Sequence, residues 1–393
     1  MPRAGSLLRL MFCGVALMGF GCTSAGNTPA DPVGIHTAAT VSESNPAASP
    51  NAGIDTSPSA MLAAAIAEYE RINQAGGWQS VPDGPKLALA MTGQRILAVG
   101  QRLAITGDLG STPTTTFDAN LVGAVERFQK RHGLDADGVV GKATLAELNV
   151  PIARRLAAME ATFDRTKQRE ATWGNRYLIV NVAAATYRVV ENGRALFELP
   201  AIVGRPAWPT PLLDGVIERL DFNPYWTVPP RIASLEVLPR IERDPGYLAR
   251  HHMHYVNGQI RQEPGPDNPL GVVKFYFQNP YSIYLHDTNS RDLFSRQDRF
   301  LSHGCIRIAD AEGLARFLLK DDPEWPEARI AELIKSGRNQ RVVLATTMPV
   351  HIVYDTAWVD TDGVVQFRRD VYHREHLELA AASDAPRFSG CPV

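Results

Sequence analysis

The hexapeptide Ser302-His303-Gly304-Cys305-Ile306-Arg307 contains the one candidate nucleophile of the chain, the thiol of Cys305. A thiol is only partly ionised near neutral pH and the thiolate is the attacking species, so a nucleophilic cysteine needs a base beside it. Two histidines are candidates for that base. His286 lies upstream in Tyr284-Leu285-His286-Asp287, and His303 lies within the hexapeptide.

The neighbours of Cys305 suit the same chemistry. Gly304 lets the backbone turn sharply, and successive N–H groups from His303 to Cys305 are candidates to hold a tetrahedral oxyanion. Arg307 lies on the same side as Cys305 if the segment is extended, where it can bind a substrate carboxylate. A packing cysteine near a histidine by chance is the competing interpretation, because cysteine is among the most often buried residue types.

The whole run resembles the signature of L,D-transpeptidases with a YkuD-type catalytic domain, in which a histidine is followed by Ser/Thr-His-Gly-Cys, an apolar residue and Arg or Asn. The resemblance implies that Cys305 is the nucleophile and His286 the general base and acid, with Ser302, His303, Gly304 and Arg307 supporting the oxyanion and the substrate. Further segments between about residues 90 and 375 resemble the YcbB-like branch of this family: Val203-Gly204-Arg205-Pro206, Thr210-Pro211, Phe222-Asn223-Pro224-Tyr225-Trp226, Asp244-Pro245-Gly246-Tyr247-Leu248, Gly265-Pro266-Asp267-Asn268-Pro269 and Asn279-Pro280-Tyr281.

The composition is that of a globular, multidomain protein. Hydrophobic residues make up 45% of the 393 residues and charged residues 21%, enough for a full core. The formal net charge of −2 provides no basic footprint for nucleic acid or an anionic membrane surface. With four cysteines in all, a disulfide framework is not expected, and pairing of Cys305 with Cys391 in the C-terminal tail is the less favoured alternative.

The N-terminus has the pattern of an export signal. Residues 1–22 combine a basic start with a short apolar core and are predicted to be a signal peptide. Gly19-Phe20-Gly21-Cys22 resembles a bacterial lipobox, which implies lipidation of Cys22; cleavage after Thr23-Ser24-Ala25 is the alternative. Residues 23–60 are predicted to be a disordered linker. We therefore expect a protein of the periplasm or cell envelope of a Gram-negative bacterium, with a lipid anchor as its only membrane contact and the outer membrane as one destination.

A helical region follows. We predict a helical segment over 61–86, a three-helix module over 87–150 and a connecting helix over 151–174. Apolar residues recur at helical spacing in the module, and Asp118 is a candidate N-cap. Residues 124–134, with Asp137-Gly138 and Gly141, resemble the peptidoglycan-binding module of cell-wall enzymes. A bundle that merely braces the catalytic domain is the alternative.

Residues 175–375 carry a β-rich pattern and are predicted to form the catalytic domain, followed by a tail over 376–393. Strands are expected at 177–182, 187–190, 195–199, 216–220, 272–277, 282–285, 341–345, 351–354 and 364–367, and helices only at 310–319 and 327–334. The strand pattern fails between 224 and 271, which predicts a helical capping insertion. The expected fold class is thus multidomain α+β: a three-helix module and a mostly-β YkuD-type sandwich.

The family resemblance also implies a reaction. Cys305 would transfer a tetrapeptide stem of peptidoglycan to the amine of another stem, releasing D-alanine and forming a 3→3 cross-link. Water as the acceptor would make the protein an L,D-carboxypeptidase, and a protein lysine would make it a lipoprotein-anchoring enzyme. Stem peptides are the expected partners, carbapenems the implied inhibitors, and no cofactor or metal is expected. A zinc peptidase using His251-His252-Met253-His254 and a non-catalytic wall-binding lipoprotein are the rival interpretations.

Overall fold

The structure is a computed structural model that describes residues 57–375. The predicted signal peptide, the lipidation site Cys22, nearly all of the predicted linker, Cys391 and the tail from residue 376 lie outside the described residues. Within the described range no helix combines the length and the apolar character needed to cross a membrane.

The N-terminal part of the described chain is helical. Its helices are α1 (Pro58–Gln74), α2 (Gln94–Ile105), α3 (Ala119–Arg131), α4 (Lys142–Leu148) and α5 (Ile152–Thr172). Within the predicted helical segment over 61–86 the helix is confined to α1, and residues 75–86 contain no helix. The run of strong helix formers gives way to Gly76-Gly77, and glycine is among the poorest helix formers.

The core of the module confirms the predicted apolar spacing. Two sets of three residues, one on α2 and one on α3, retain at most 4% of their surface: Ile96, Val99 and Leu103, and Leu121, Val125 and Phe128. The carboxylate of Asp118 accepts a hydrogen bond from the Leu121 N–H at 2.9 Å, so the predicted N-cap is also confirmed.

The C-terminal part is dominated by strands. They are β1 (Arg176–Asn181), β2 (Thr186–Glu191), β3 (Arg194–Gly204), β4 (Leu213–Phe222), β5 (Trp226–Thr227), β6 (Met253–Val256), β7 (Gln259–Gln262), β8 (Val273–Phe277), β9 (Leu285–His286), β10 (Phe300–Ser302), β11 (Ile306–Ile308), β12 (Gln340–Val353), β13 (Ala357–Val359) and β14 (Val365–Phe367). The helices of this part are α6 (Pro230–Ile232), α7 (Leu238–Arg243), α8 (Tyr247–Arg250), α9 (Ala311–Leu319) and α10 (Glu327–Ser336), with a π-helical turn Ala233–Val237 and a 3-10 turn Arg291–Ser295.

Nine strands form one mixed sheet that curls round on itself. Its order is β10-β3-β11-β9-β8-β4-β12-β1-β2, and β2 also pairs with β3. Eight strands therefore close into a flattened ring, with β10 added beside β3. The enclosed apolar core includes Phe222, Phe275 and Leu285, and α9 and α10 contribute Leu314 and Ile330 to it. This architecture confirms the predicted mostly-β sandwich joined to a helical module.

The strands nearest the nucleophile were not predicted correctly. The strand expected at 282–285 is reduced to β9, and neither β10 nor β11 was predicted. Each has only two or three residues, too few for a period-two pattern. Conversely, the strands expected at 341–345 and 351–354 are one strand, β12, whose pairing with β4 shifts register between Val343 and Met348.

The capping insertion over 224–271 is not purely helical. It contains α6, the π-helical turn, α7 and α8, but also a three-stranded sheet in the order β5-β7-β6. The prediction that strands are missing here was wrong, since strands of two to four residues leave little signal. A small apolar core of its own, including Val228, Val237 and Ile260, holds the insertion together.

Candidate active site

Strand pairing brings the two halves of the candidate site together. β9 and β11 run parallel as neighbours, with Leu285 opposite Ile306 and His286 opposite Arg307. Cys305 immediately precedes β11, and the next N–H, of Ile306, donates to the Tyr284 carbonyl at 3.1 Å. Cys305 retains 9% of its surface and lies at the edge of the core. The candidate base and the candidate nucleophile are thus carried by adjacent strands.

The imidazole of His286 is buried and oriented by backbone. Its Nδ1 lies 2.5 Å from the Asp287 carbonyl oxygen, which can only accept, so Nδ1 carries the proton and Nε2 keeps the lone pair. The Asp287 carboxylate is engaged elsewhere, accepting from the Val272 N–H at 2.9 Å and from Arg291 Nη2 at 3.2 Å. The carbonyl of Asp287, and not its carboxylate, therefore orients His286.

Two cations flank His286 on the outer face of the sheet. Lys274 on β8 is paired with His286, which in turn is paired with Arg307. Directly paired residues project from the same face of a sheet, so the three form a row across β8, β9 and β11. Their chain neighbours Phe275 and Leu285 face the core and are fully buried.

This surrounding lowers the pKa of His286 to about 3. Burial is the largest cause, and the positive charge of Arg307 comes next. The carbonyl of Asp287 acts in the opposite direction, and Lys274 lowers the pKa further. The imidazole is therefore neutral near neutral pH and able to accept a proton.

Lys274 is itself held close to the site. Its Nζ lies 3.8 Å from the centre of the Tyr284 ring. Burial lowers the pKa of Lys274, while the charges of Asp221 and Cys305 act in the opposite direction. A positive charge that interacts with the Cys305 sulfur favours the thiolate over the thiol.

The loop that carries Cys305 is held by hydroxyl groups. Ser302 Oγ donates to the Cys305 carbonyl at 2.5 Å and accepts from the Gly304 N–H at 3.1 Å. Thr210 Oγ1 donates to the Gly304 carbonyl and accepts from the Gly204 N–H, both at 2.9 Å. Gly304 has a φ of +112°, which a side chain would strain. Because its N–H is engaged by Ser302, a role for Gly304 in holding an oxyanion would require that hydrogen bond to break.

His303 points toward the capping insertion. Its Nε2 lies 2.6 Å from a carboxylate oxygen of Glu236, which belongs to the π-helical turn, and its ring packs edge-on against Trp208 with the ring centres 4.8 Å apart. Burial lowers the pKa of His303, and Glu236 opposes that shift. The insertion therefore contacts the loop directly beside the candidate nucleophile.

Two family models match this chain. Residues 175–343 match the L,D-transpeptidase catalytic domain called YkuD, and residues 92–148 match a model described as "Putative peptidoglycan binding domain". The chain contains a YkuD L,D-transpeptidase catalytic domain. Membership of the YcbB-like branch stays a prediction.

Similar proteins carry the same family name. A protein of Haemophilus influenzae named "Putative L,D-transpeptidase" is 29% identical over 216 residues, which are 50% of this chain and 44% of that protein. An L,D-transpeptidase structure from Stackebrandtia nassauensis is 14% identical, with 70% of this chain and 97% of that chain covered and a TM-score of 0.28. One from Xylanimonas cellulosilytica is 18% identical, with coverages of 69% and 98% and a TM-score of 0.24. The chain spans less than half the length of the Haemophilus protein.

Three residues of the YkuD domain that approach the site were not predicted as site residues. Lys274 reaches it through the pairing of β8 with β9, Glu236 through the folding of the insertion, and Thr210 through a loop far from Gly304 in sequence. None belongs to the hexapeptide or directly adjoins it. Only Thr210 carried a signal, since Thr210-Pro211 belongs to the family resemblance.

Two of the histidines at 251–254 contact other side chains of the capping insertion. His254 Nε2 lies 3.3 Å from a carboxylate oxygen of Glu263, and His251 packs against Tyr247. Over residues 57–375 no group of three or more His, Cys, Asp or Glu side chains is arranged to hold a metal ion.

Proposed function

We propose that the YkuD domain is a cysteine L,D-transpeptidase in which Cys305 is the nucleophile and His286 the general base and acid. The observation that carries the proposal is the neutral His286 imidazole, whose Nδ1–H is fixed by a carbonyl, on the strand adjacent to that of Cys305. A base that is neutral near neutral pH can take the thiol proton. Lys274 and Arg307 supply positive charge beside the thiolate that results.

The proposed first half-reaction forms a thioester. His286 Nε2 takes the proton of Cys305, and the sulfur attacks the carbonyl carbon of the peptide bond between the diamino acid of a tetrapeptide stem and its terminal D-alanine. The backbone N–H groups of His303 and Cys305, joined by that of Gly304 once its hydrogen bond to Ser302 opens, stabilise the oxyanion. The C–N bond breaks, the proton on His286 passes to the leaving amine, and D-alanine departs. Arg307 binds a carboxylate of the donor stem in this proposal.

The proposed second half-reaction sets the product. The side-chain amine of another stem attacks the thioester, gives a proton back through His286 to the sulfur, and leaves a 3→3 cross-link. Water in place of the amine would give a tripeptide stem, the carboxypeptidase outcome. A protein lysine would give a lipoprotein joined to the wall. The amine reaction is the one we propose, and the other two are outcomes of the test below.

The helical module and the N-terminus complete the proposal. The match of residues 92–148 supports binding of peptidoglycan by the module. The signal and lipobox-like sequences support a periplasmic enzyme anchored through a lipid on Cys22. We also propose that carbapenems acylate Cys305, since a strained lactam carbonyl presents the same electrophile as the donor peptide.

Incubation with purified disaccharide-tetrapeptide, followed by mass analysis, tests the proposal. The expected product is a dimer whose mass is that of two substrates less one D-alanine. Imipenem is expected to inhibit its formation. Cys305→Ala is expected to give no product, and His286→Gln a rate lower by at least about a hundredfold. His252→Asn, an exposed histidine replaced by a residue that tolerates its positive φ, is the matched control and is expected to retain wild-type activity. An unchanged rate in Cys305→Ala would refute the mechanism.

A further inference from the structure

A polar cavity of ≈ 290 Å³ lies where the helical module meets the YkuD domain. The module supplies residues 132–135 to its wall, and the YkuD side supplies the turn at 183–186, the segment 295–300 and the chain around Arg368. The two sides are joined by a hydrogen bond from Gln297 Nε2 to the Gly133 carbonyl at 2.6 Å. The cavity is thus built by both domains and is separate from the His286 and Cys305 strand ends.

Arginines dominate the lining of this cavity. Arg296, Arg299, Arg368 and Arg369 contribute four positive charges, against two negative charges from Asp135 and Asp298. His132 also lines it, but burial holds the pKa of that imidazole well below its usual value, so it adds no charge near neutral pH. The cavity wall is therefore net positive.

Two of these guanidinium groups are half-buried without a carboxylate partner. Arg299 donates to the carbonyls of Ala184, Ala185, Ala201 and Arg296, and Arg368 donates to the carbonyls of Arg131 and Phe367 and to the Gln366 amide oxygen. Among residues 57–375 neither has a carboxylate oxygen within 4 Å; the Asp298 carboxylate is taken by Arg369 at 2.6 Å.

Burial works against the charge of both guanidinium groups. It lowers the pKa of Arg368 to about 10 and also lowers that of Arg299. The more distant charge of Glu198 opposes the shift of Arg368, that of Asp298 opposes the shift of Arg299, and Arg299 lowers the pKa of Arg368 further. A buried cation is normally paired, because removing it from water is expensive unless an opposite charge compensates. Two such cations facing one cavity, with partners only among neutral oxygens, define a place for an oxyanion.

We propose that this cavity binds a carboxylate of a peptide-bearing glycan strand, at a second site outside the catalytic centre. The chemical class follows from the fork of N–H donors on a guanidinium, which matches a carboxylate in two parallel hydrogen bonds. The choice of a wall peptide rests on the proposed function, and on the fact that one wall of the cavity belongs to the region matching a peptidoglycan-binding model.

The position of the cavity connects it to the catalytic loop. Its 295–300 wall runs directly into β10, which ends at Ser302, and Ser302 Oγ bonds both Gly304 and Cys305. The segment that lines the cavity is thus continuous with the loop that holds Cys305.

Binding of disaccharide-tetrapeptide to the full chain carrying Cys305→Ala, measured by calorimetry, tests the assignment without turnover. Adding Arg368→Gln is expected to weaken binding by about tenfold. Because Arg368 also donates to backbone carbonyls, Arg296→Gln serves as a second variant. Arg296 is exposed, so this substitution is expected to weaken binding several-fold without affecting folding. Arg194→Gln, at the exposed start of β3 and outside the cavity, is the matched control and is expected to bind like the parent.

Ligand chemistry provides the second arm. Amidating the carboxylates of the muropeptide is expected to weaken binding to the parent by a larger factor than binding to Arg368→Gln, because Arg307 of the catalytic site is present in both. Wild-type affinity in both cavity variants, or an equal factor of loss on amidation in the parent and in Arg368→Gln, would overturn the proposal. Displacement by inorganic phosphate at concentrations as low as those of the muropeptide would also overturn it, in favour of a phosphate-bearing ligand. If the wild type binds the muropeptide but makes no product, and the arginine variants lose that binding, the proposed reaction fails and this binding site stands.

Discussion

Replacing His286 with glutamine should change how the stability of the protein depends on pH. The folded-state pKa of about 3, against 6.5 for an unperturbed histidine, means that the unfolded chain binds a proton at this position below pH 6.5 while the folded chain does not until about pH 3. In that window the unfolded state holds more protons, so stability rises with pH and is lost as the pH falls.

The magnitude follows from those two pKa values. The loss approaches about 1.4 kcal/mol for each pH unit below 6.5, because that is the free energy of one proton per unit. Between pH 7.5 and pH 5.0 the contribution of His286 to the free energy of unfolding therefore falls by about 2 kcal/mol. Other histidines with lowered pKa, among them His132 and His351, add losses of their own. Only the difference between the wild type and His286→Gln isolates His286.

Equilibrium urea unfolding of both proteins at pH 7.5 and pH 5.0 provides the measurement. The wild type should lose about 2 kcal/mol more between the two pH values than His286→Gln does. The absolute stability of the variant cancels, because each protein is compared with itself. His252→Asn removes an exposed histidine instead and should show the wild-type loss. Equal losses in the wild type and His286→Gln would show that His286 is not held neutral, and the assignment of the base would fail with it.

Three further changes test the surroundings of the site. Lys274→Met should slow alkylation of the nucleophilic sulfur at pH 7 by on the order of tenfold, since the thiolate loses a neighbouring cation, while Lys274→Arg should retain most of the rate; equal rates in all three proteins would remove Lys274 from the site. Thr210→Val leaves two backbone groups without their hydroxyl partner, so it should lower both the free energy of unfolding, by about 2 kcal/mol, and kcat/KM. Thr210→Ser keeps the hydroxyl and should retain both. A defect as large in Thr210→Ser would show that lost packing of the methyl group is the cause. Gly271→Ala places a Cβ 2.2 Å from the Asp287 carboxylate and should therefore lower the melting temperature. The loss should be larger than in Gly193→Ala, where φ is also positive but the space around the Cβ is open. Equal losses would show that backbone strain alone causes the destabilisation.

The class of fold and the nucleophile's neighbourhood could be read from the sequence because they depend on local patterns. The helical spacing of Ile96, Val99 and Leu103 is a property of one segment, and so is the cap at Asp118. The hexapeptide around Cys305 likewise contains its own turn-forming glycine. Such local patterns do not depend on how the rest of the chain folds.

The electrostatic environment of the site could not be read in the same way. The row of Lys274, His286 and Arg307 exists only because β8, β9 and β11 are neighbours in a particular register, and a shift of one residue would turn Lys274 toward the core. β9 and β11 have two and three residues, so neither gives a recognisable strand pattern in the sequence. The contact of Glu236 with His303 depends on how the capping insertion folds back, which is equally non-local.

That row has a consequence for the order of the chemical steps. Transfer of a proton from Cys305 to His286 creates an imidazolium between two cations, Lys274 and Arg307, which burial and like charge both disfavour. The thiolate formed at the same moment is favoured by those two cations. A stored pair of thiolate and imidazolium is therefore disfavoured at the imidazolium. Under the proposed mechanism the proton spends little time on His286 and passes on to the leaving amine as the C–N bond breaks, so sulfur attack and proton transfer should be closely coupled.

A solvent isotope effect on acylation of about two or more is expected for such coupling, and an effect of one would require a preformed thiolate.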